Sequence, residues 1–233
     1  MIISSFNIQN DVRNYKNNKS INIFNYIKKY NIDIIGLQEL TYKYNNEITK
    51  LIKNYYSIVG KYRYFFKLLS LYKNEKNPII SKYTIISNKT YHLPSNGSKY
   101  KRILTHAVII YKNSEISIYN THLELYDKNI KEKQLNYIFN IIKDDRRPII
   151  LMGDFNSKID SDVFNNFILK MKNIGINRVC LKGNTYINSN DNMAIDHIFI
   201  SEEFSIKKKK IMDNIKFSDH YPILVDLELK KME

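Results

Sequence analysis

The amino-acid sequence predicts an α/β fold whose buried strands are covered by helices. Three observations predict it. Short apolar runs recur along the chain, as in Ile34-Ile35-Gly36-Leu37 and Ile149-Ile150-Leu151-Met152, and continuous runs of this kind mark strands buried on both faces. Between them lie longer stretches whose apolar residues recur at the spacing of one helix face. The first elements come in the order strand, helix, strand, in which helices cover sheet faces. At 233 residues the chain can bury a full core, and with no repeat, linker or low-complexity tract it reads as a single domain over residues 1–233.

Taken in order, residues 2–7 read as the first strand, with Asn7 at its end. A polar loop leads to Ser20, placed to cap a helix carrying Ile23, Phe24, Ile27 and Tyr30 on one face. Residues 33–39 form a second strand that stops at Glu39, and Ile48, Leu51, Ile52 and Tyr55 make the stripe of another helix. Residues 62–72 are aromatic and aliphatic without a clean period; they read as core strand, or as a loop that contacts membrane or substrate. Strands follow at 78–81, 84–87, 104–111 and 115–120, the last two joined as a hairpin at Lys112-Asn113-Ser114. Lys131, Leu135, Ile138 and Ile142, with Phe139 beside them, form a helix face leading into the strand that closes with Gly153-Asp154-Phe155-Asn156. Val163, Phe164, Phe167, Ile168 and Met171 mark one more helix, and strands at 185–187, 195–200, 205–212 and 223–229 complete the chain.

The formal net charge is +14, which suits a polyanionic partner. The excess is mostly Lys in a chain also rich in Asn and Ile, the signature of an AT-rich coding sequence, so it supports a phosphate-bearing substrate only weakly. The run Lys207 to Lys210 reads as an edge strand blunted by lysines. Cys180 is the sole cysteine, so no intrachain disulfide forms. No signal-like or membrane-spanning apolar run is present, and a cytoplasmic location is expected.

The ends of the apolar runs carry the chemistry. Asn7, Glu39, Asn120 with His122, Asp154 with Asn156, Asp196, and Asp219 with His220 all stand where a run stops. Asp154 and Asn156, two apart on extended backbone, are expected on the same side. Such a set suits metal-assisted phosphoester hydrolysis. A hard cation such as Mg²⁺ needs only one or two carboxylates, and Glu39 is the first choice, with Asp219 or Asn7 completing or orienting the shell. A His oriented by an Asp activates the water, and His220 with Asp196 is the expected pair. Asn156 and His122 are placed to donate to phosphoryl oxygens as charge builds. His197, facing away from its neighbour Asp196, is assigned to structure.

Ser5-Phe6-Asn7, Leu37-Gln38-Glu39, Asn120-Thr121-His122-Leu123, Gly153-Asp154-Phe155-Asn156, Ile195-Asp196-His197-Ile198-Phe199 and Ser218-Asp219-His220-Tyr221-Pro222 together resemble the endonuclease/exonuclease/phosphatase superfamily, with its DNase I-like fold. The resemblance spans nearly the whole chain in family order. It implies a four-layer α/β sandwich, two mixed β-sheets packed face to face with helices outside, and one metal-dependent site at the sheet edge. It places Asn7 and Glu39 at the metal, with Asp219 as the second metal-side carboxylate. His122, Arg102 and Asn120 fall on the phosphate, and Asp154 and Asn156 on the water and phosphate. Asp196 and His220 match the dyad, and Glu75 is a candidate acidic partner for His122. The chain has no Trp and lacks the usual arginine before its late aspartate motif, which departs from apurinic-site endonucleases. The Asn-Thr-His-Leu form looks closer to sphingomyelinases, deadenylases and tyrosyl-DNA phosphodiesterases. The expected activity is a Mg²⁺-dependent phosphodiesterase, Mn²⁺ substituting, acting on DNA or RNA. The alternative is a phospholipid or inositol-phosphate phosphoesterase meeting an anionic or choline lipid. No obligate protein partner is expected, and a non-catalytic binding module is disfavoured because every expected site residue is present.

Overall fold

The computed structural model describes residues 1–10, 18–64, 74–187 and 193–230. Its elements run β1 (Ile2–Asn7), α1 (Lys19–Lys29), β2 (Ile34–Gln38), β3 (Leu40–Thr41), α2 (Tyr42–Ile52), β4 (Ser57–Val59), β5 (Glu75–Lys76), β6 (Ile79–Ser81), β7 (Ile85–His92), β8 (Ile103–Tyr111), β9 (Ser114–His122), α3 (Lys128–Ile142), β10 (Ile149–Asp154), α4 (Asp162–Asn173), β11 (Ile176–Arg178), β12 (Asp196–Ser201), β13 (Phe204–Ile211) and β14 (Ile223–Leu229). Two six-stranded sheets result, ordered β13-β14-β1-β2-β6-β4 and β11-β12-β10-β9-β8-β7. Each is mixed: β1 and β2 run parallel, as do β9 and β10, while the remaining pairs are antiparallel.

Side-chain alternation sorts the strand residues into layers. Ile3, Ile34, Ile118, Ile150, Met152, Ile198 and Val225 fill the space between the sheets. The opposite face of the first sheet, with Phe6, Ile35 and Leu37, is covered by Ile23 and Ile27 of α1 and Ile48 and Ile52 of α2. Leu151 and Phe199 on the outer face of the second sheet meet Leu135 and Ile138 of α3 and Phe164 and Phe167 of α4. These are the four layers of a DNase I-like sandwich. Gly36 of β2 lets the sheets approach: a Cβ there would lie 2.7 Å from Met152 Sδ and 2.8 Å from Asn120 Cγ. Gly153, at φ 152°, is obligatory for a different reason, since a Cβ would fall 2.1 Å from the Thr121 carbonyl oxygen.

Several local expectations are corrected. Asn18, at φ 98°, rather than Ser20, is the N-cap of α1; Ser20 lies inside the first turn and donates to Glu47 Oε2 of α2 at 2.6 Å. Helix α2 starts ten residues before Ile52 and ends there, leaving Tyr55 outside it and 56% exposed. In the 185–187 stretch, among the described residues, only an isolated bridge forms, Tyr186 with His220. Of the aromatic stretch, Tyr62 makes one bridge with Lys76, and residues 65–72 lie outside the described residues. The hairpin holds: Tyr111 pairs with Ser114 across Lys112 and Asn113, both at positive φ, as a two-residue turn of matching twist requires. The lysine run forms β13, at the edge of its sheet. Among the described residues no helix is long and apolar enough to cross a membrane.

Candidate active site

The inner columns of both sheets turn polar at one edge. In the first sheet Ile3 and Ser5 lead to Asn7, which pairs with Gln38 of β2. In the second, Ile150 and Met152 lead to Asp154, which pairs with His122 of β9 on one side and Asp196 of β12 on the other. Parallel neighbours end together, so their carboxyl ends deliver side chains to a shared edge. The sheets meet there through hydrogen bonds: Asn7 Nδ2 donates to Asp154 Oδ2 at 2.9 Å and to Glu39 Oε1 at 3.1 Å.

Around Asp154 the geometry is tight. His220 Nδ1 lies 2.8 Å from Asp196 Oδ2, and its Nε2 lies 3.8 Å from Asp154 Oδ2 and 4.0 Å from Asp219 Oδ1. His122 Nε2 approaches Asp154 Oδ2 to 3.5 Å, and its Nδ1 stands 3.9 Å from Glu39 Oε1. Thr185 Oγ1 accepts from the backbone N–H groups of Ile195 and Asp196, fixing the start of β12. Ser218 Oγ donates to the Asn7 carbonyl at 2.7 Å and accepts from His220 N, anchoring the segment that carries Asp219 and His220. Glu39 itself has φ 63°, a conformation that costs a non-glycine residue about 1 kcal/mol or more, and the Asn10 backbone N–H holds its Oε2 at 2.7 Å.

Electrostatics follow from burial and crowding. Burial, then the charge of Asp196, lifts the Asp154 carboxyl to about 6. Burial also raises Asp219, with Glu39 adding to it. For His220 burial opposes protonation but is outweighed by Asp196, Asp154 and Asp219, and the imidazolium persists to about 10. His122 goes the other way: burial, then Arg102 and Arg63, hold it well below its usual value, so its ring is neutral.

The expected residues thus converge, with four corrections of role. Asn120 does not face a phosphate. Its Nδ2 donates to the Leu37 and Pro78 carbonyls at 2.8 and 2.9 Å, and its Oδ1 accepts from Gln38 Nε2 at 2.7 Å, so the side chain is spent tying the sheets together. Asn7 directs its amide nitrogen at the carboxylates, and its Oδ1 accepts from Gln9 N at 3.0 Å; it orients Glu39 and Asp154. Asn156 leaves the extended line expected of it, since the strand ends at Asp154 and Asn156 has φ 47°; its backbone N–H caps Asp154 Oδ1 at 2.8 Å and its Nδ2 donates to the Leu123 carbonyl. Glu75 pairs with Arg63 at 2.6 Å rather than with His122. Arg102 is buried, and the carboxylates of Asp154, Glu39 and Glu75 act on its guanidinium. His197 is structural as expected, with Nε2 2.9 Å from the Ser157 carbonyl and its ring 4.6 Å from that of Phe164.

Sequence reasoning missed Arg63, Lys131 and Thr185. Lys131 had a signal: it shared the helical spacing of the apolar face of α3, and its Nζ donates to the Asn156 carbonyl beside the site. Arg63, a lone arginine between two tyrosines, and Thr185 had none.

A model of the endonuclease/exonuclease/phosphatase family matches residues 4–220, the span that contains every residue of this site. The chain belongs to the endonuclease/exonuclease/phosphatase family. It is a phosphoric ester hydrolase. Solved structures agree in fold. An endonuclease/exonuclease/phosphatase from Bacteroides vulgatus is similar at 21% identity, with 98% of each chain covered and a TM-score of 0.81. The mannosyl-6-phosphatase Bt3783 of Bacteroides thetaiotaomicron is similar at 20% identity, covering 98% of this chain and 100% of the other, with a TM-score of 0.80. The human nocturnin catalytic domain is similar at 16% identity, covering 99% and 93%, also at 0.80. No curated protein matches the chain significantly in sequence.

Members of the endonuclease/exonuclease/phosphatase family are generally metal-dependent, and the donor set here fits a cation. Asp154, Asp196 and His220 offer atoms within 4.8 Å of one another, but Asp196 Oδ2 and His220 Nδ1 are spent on each other. The carboxylates left are Glu39, Asp219 and Asp154. Burial raises Asp154 and Asp219, with neighbouring carboxylates adding to it, and the same crowd of carboxylates raises His220 against burial, so the space holds an excess of negative charge. A bound cation offsets that excess.

Proposed function

We propose that the chain is a Mg²⁺-dependent phosphodiesterase that hydrolyses nucleic acid. The observation that carries this reading is the His220 and Asp196 pair at 2.8 Å, buried beside Asp154 and within 4.0 Å of Asp219. Bound in this site, Mg²⁺, or Mn²⁺ in its place, supplies neutralising charge for the phosphoryl oxygens. Glu39 and Asp219 would hold it. Asp196 fixes Nδ1 of His220; with the surrounding carboxylates offset by a cation, the charge that keeps the imidazolium protonated is removed, and the freed Nε2 would take a proton from water. Asp154, oriented by Asn7 and by the Asn156 backbone, accepts a hydrogen bond from the water and sets its line of attack. Neutral His122 donates an N–H to a phosphoryl oxygen as charge grows, and Arg102 adds a guanidinium.

Nucleic acid is favoured over choline lipid by the wall beside His122. The rings of Tyr64 and Tyr100 already face Arg63, Arg102 and Lys101, which repel a quaternary ammonium. The test is hydrolysis of single- and double-stranded DNA and RNA, phospholipids and inositol phosphates with Mg²⁺ and Mn²⁺. Metal-dependent cleavage of nucleic acid is expected, with His220→Ala and Asp154→Ala each reducing it by about 10²-fold or more. Nucleic acid left intact under all these conditions would rule the reading out.

A further inference from the structure

Arg63 and Arg102, whose charges act on His122, belong to a cluster in which cationic and aromatic side chains alternate. The Arg63 Cζ stands 5.3 Å from the Tyr100 ring centroid and 5.8 Å from that of Tyr64. Arg102 Cζ stands 5.7 Å and Lys99 Nζ 5.3 Å from the Tyr100 ring, and Lys101 Nζ lies 5.7 Å from the Tyr64 ring. The backbone N–H of Lys101 donates to the Tyr64 hydroxyl at 3.4 Å, joining the segment before β8 to the segment after β4. Both rings are partly exposed, while Arg63 and Arg102 are each 6% exposed. The rings therefore reach solvent and the guanidiniums lie deeper. From there a chain of contacts runs to the catalytic carboxylates: Arg63 to Glu75, Glu75 to Asn10 Nδ2 at 2.7 Å, and Asn10 N to Glu39 at 2.7 Å. Arg102 adds a buried Nε–H with no hydrogen-bond partner among the described residues, a donor awaiting an acceptor.

We propose that this rim is a nucleotide subsite, in which an unpaired base next to the scissile phosphate stacks on the Tyr64 and Tyr100 rings while a phosphate meets Arg63 and Arg102. The inference rests on the nucleic-acid phosphodiesterase reading and narrows its substrate to single strands, because a base inside a duplex has both faces covered by its neighbours. Stacking on a tyrosine is tolerant of sequence, since every base has a π-face. The subsite thus discriminates base from no base, and single strand from duplex, without choosing among bases.

The experiment compares two labelled strands of equal length and charge, a single-stranded DNA and an abasic deoxyribose-phosphate strand, by fluorescence anisotropy in EDTA. The intact protein is expected to bind the base-bearing strand about tenfold more tightly. That difference is expected to vanish in Tyr64→Ala/Tyr100→Ala and to persist in Tyr64→Phe/Tyr100→Phe, which keeps both rings, with thermal unfolding confirming that each variant folds. Equal binding of the two strands by the intact protein, binding of neither, or a difference that survives loss of both rings overturns the subsite. Cleavage with Mg²⁺ separates the two readings. A base-dependent binder that cuts nothing retains the subsite and removes the phosphodiesterase reading. Cleavage of both strands alike, before and after ring removal, does the reverse.

Discussion

Asp196 and Asn120 are both buried, at 2% and 0% exposure, and both stand at the polar ends of strands in the second sheet. Asp196 spends its Oδ2 on the His220 ring, where its charge sustains an imidazolium. Asn120 spends its whole amide on the first sheet. The two substitutions should therefore fail differently. Asp196→Asn keeps the shape and loses the charge, so kcat is expected to fall about 10²- to 10⁴-fold. Asn120→Ala removes one hydrogen bond each from the Leu37 and Pro78 carbonyls and the Gln38 amide, about 0.5–1.5 kcal/mol apiece. Urea unfolding monitored alongside turnover distinguishes them: the midpoint drop belongs to Asn120→Ala, and an unchanged midpoint there would remove its role as a tie between sheets. Sequence offered no way to separate the two, because a polar residue closing an apolar strand looks the same whether it faces substrate or the opposing sheet.

At the level of elements, legibility followed hydrogen-bond locality. Strands β1, β2, β8, β9, β10, β12, β13 and β14 and helices α3 and α4 were readable because alternation and helical spacing are written within one segment. The short pair β3 and β5, and β11, were not, since each is only two or three residues long and exists through its partner. Backbone reversals were equally silent: nothing in the composition around Glu39 or Asn156 announces φ 63° or 47°. Gly36 was visible only as a gap in an apolar run, yet it sets the spacing between β2 and the β9–β10 pair. Gly36→Ala puts a methyl against Met152, which can move, and Asn120, which is held by its hydrogen bonds. A loss of about 1–3 kcal/mol is expected from overpacking, measured by denaturant unfolding.

Over the whole molecule, buried histidines set the response to acid. Burial lowers His106, stacked 4.2 Å from the Tyr119 ring, and His197 to about 4. Unfolded, each titrates near its usual 6.5, so between these values the unfolded chain holds more protons than the folded one. The share of stability that these two rings supply is full above about pH 6.5 and falls as pH drops toward 4, by an amount on the order of a few kcal/mol, while the raised Asp154 carboxyl acts in the opposite direction over the same range. Urea midpoints across that range should show it, and His106→Phe should make the dependence shallower. A profile that His106→Phe leaves unchanged would show that this ring titrates alike in both states. The division of the site between sheets has a kinetic reading as well. Asn7 ends a strand of the first sheet, Glu39 directly follows its β2 and the Asp219 and His220 segment precedes its β14, while His122, Asp154 and Asp196 belong to the second. Hydrolysis therefore reports on sheet docking itself. Activity lost in denaturant is expected to track the collapse of the inter-sheet core, with catalysis and tertiary fluorescence vanishing on one curve, so that no partly assembled species ever cuts a phosphoester bond.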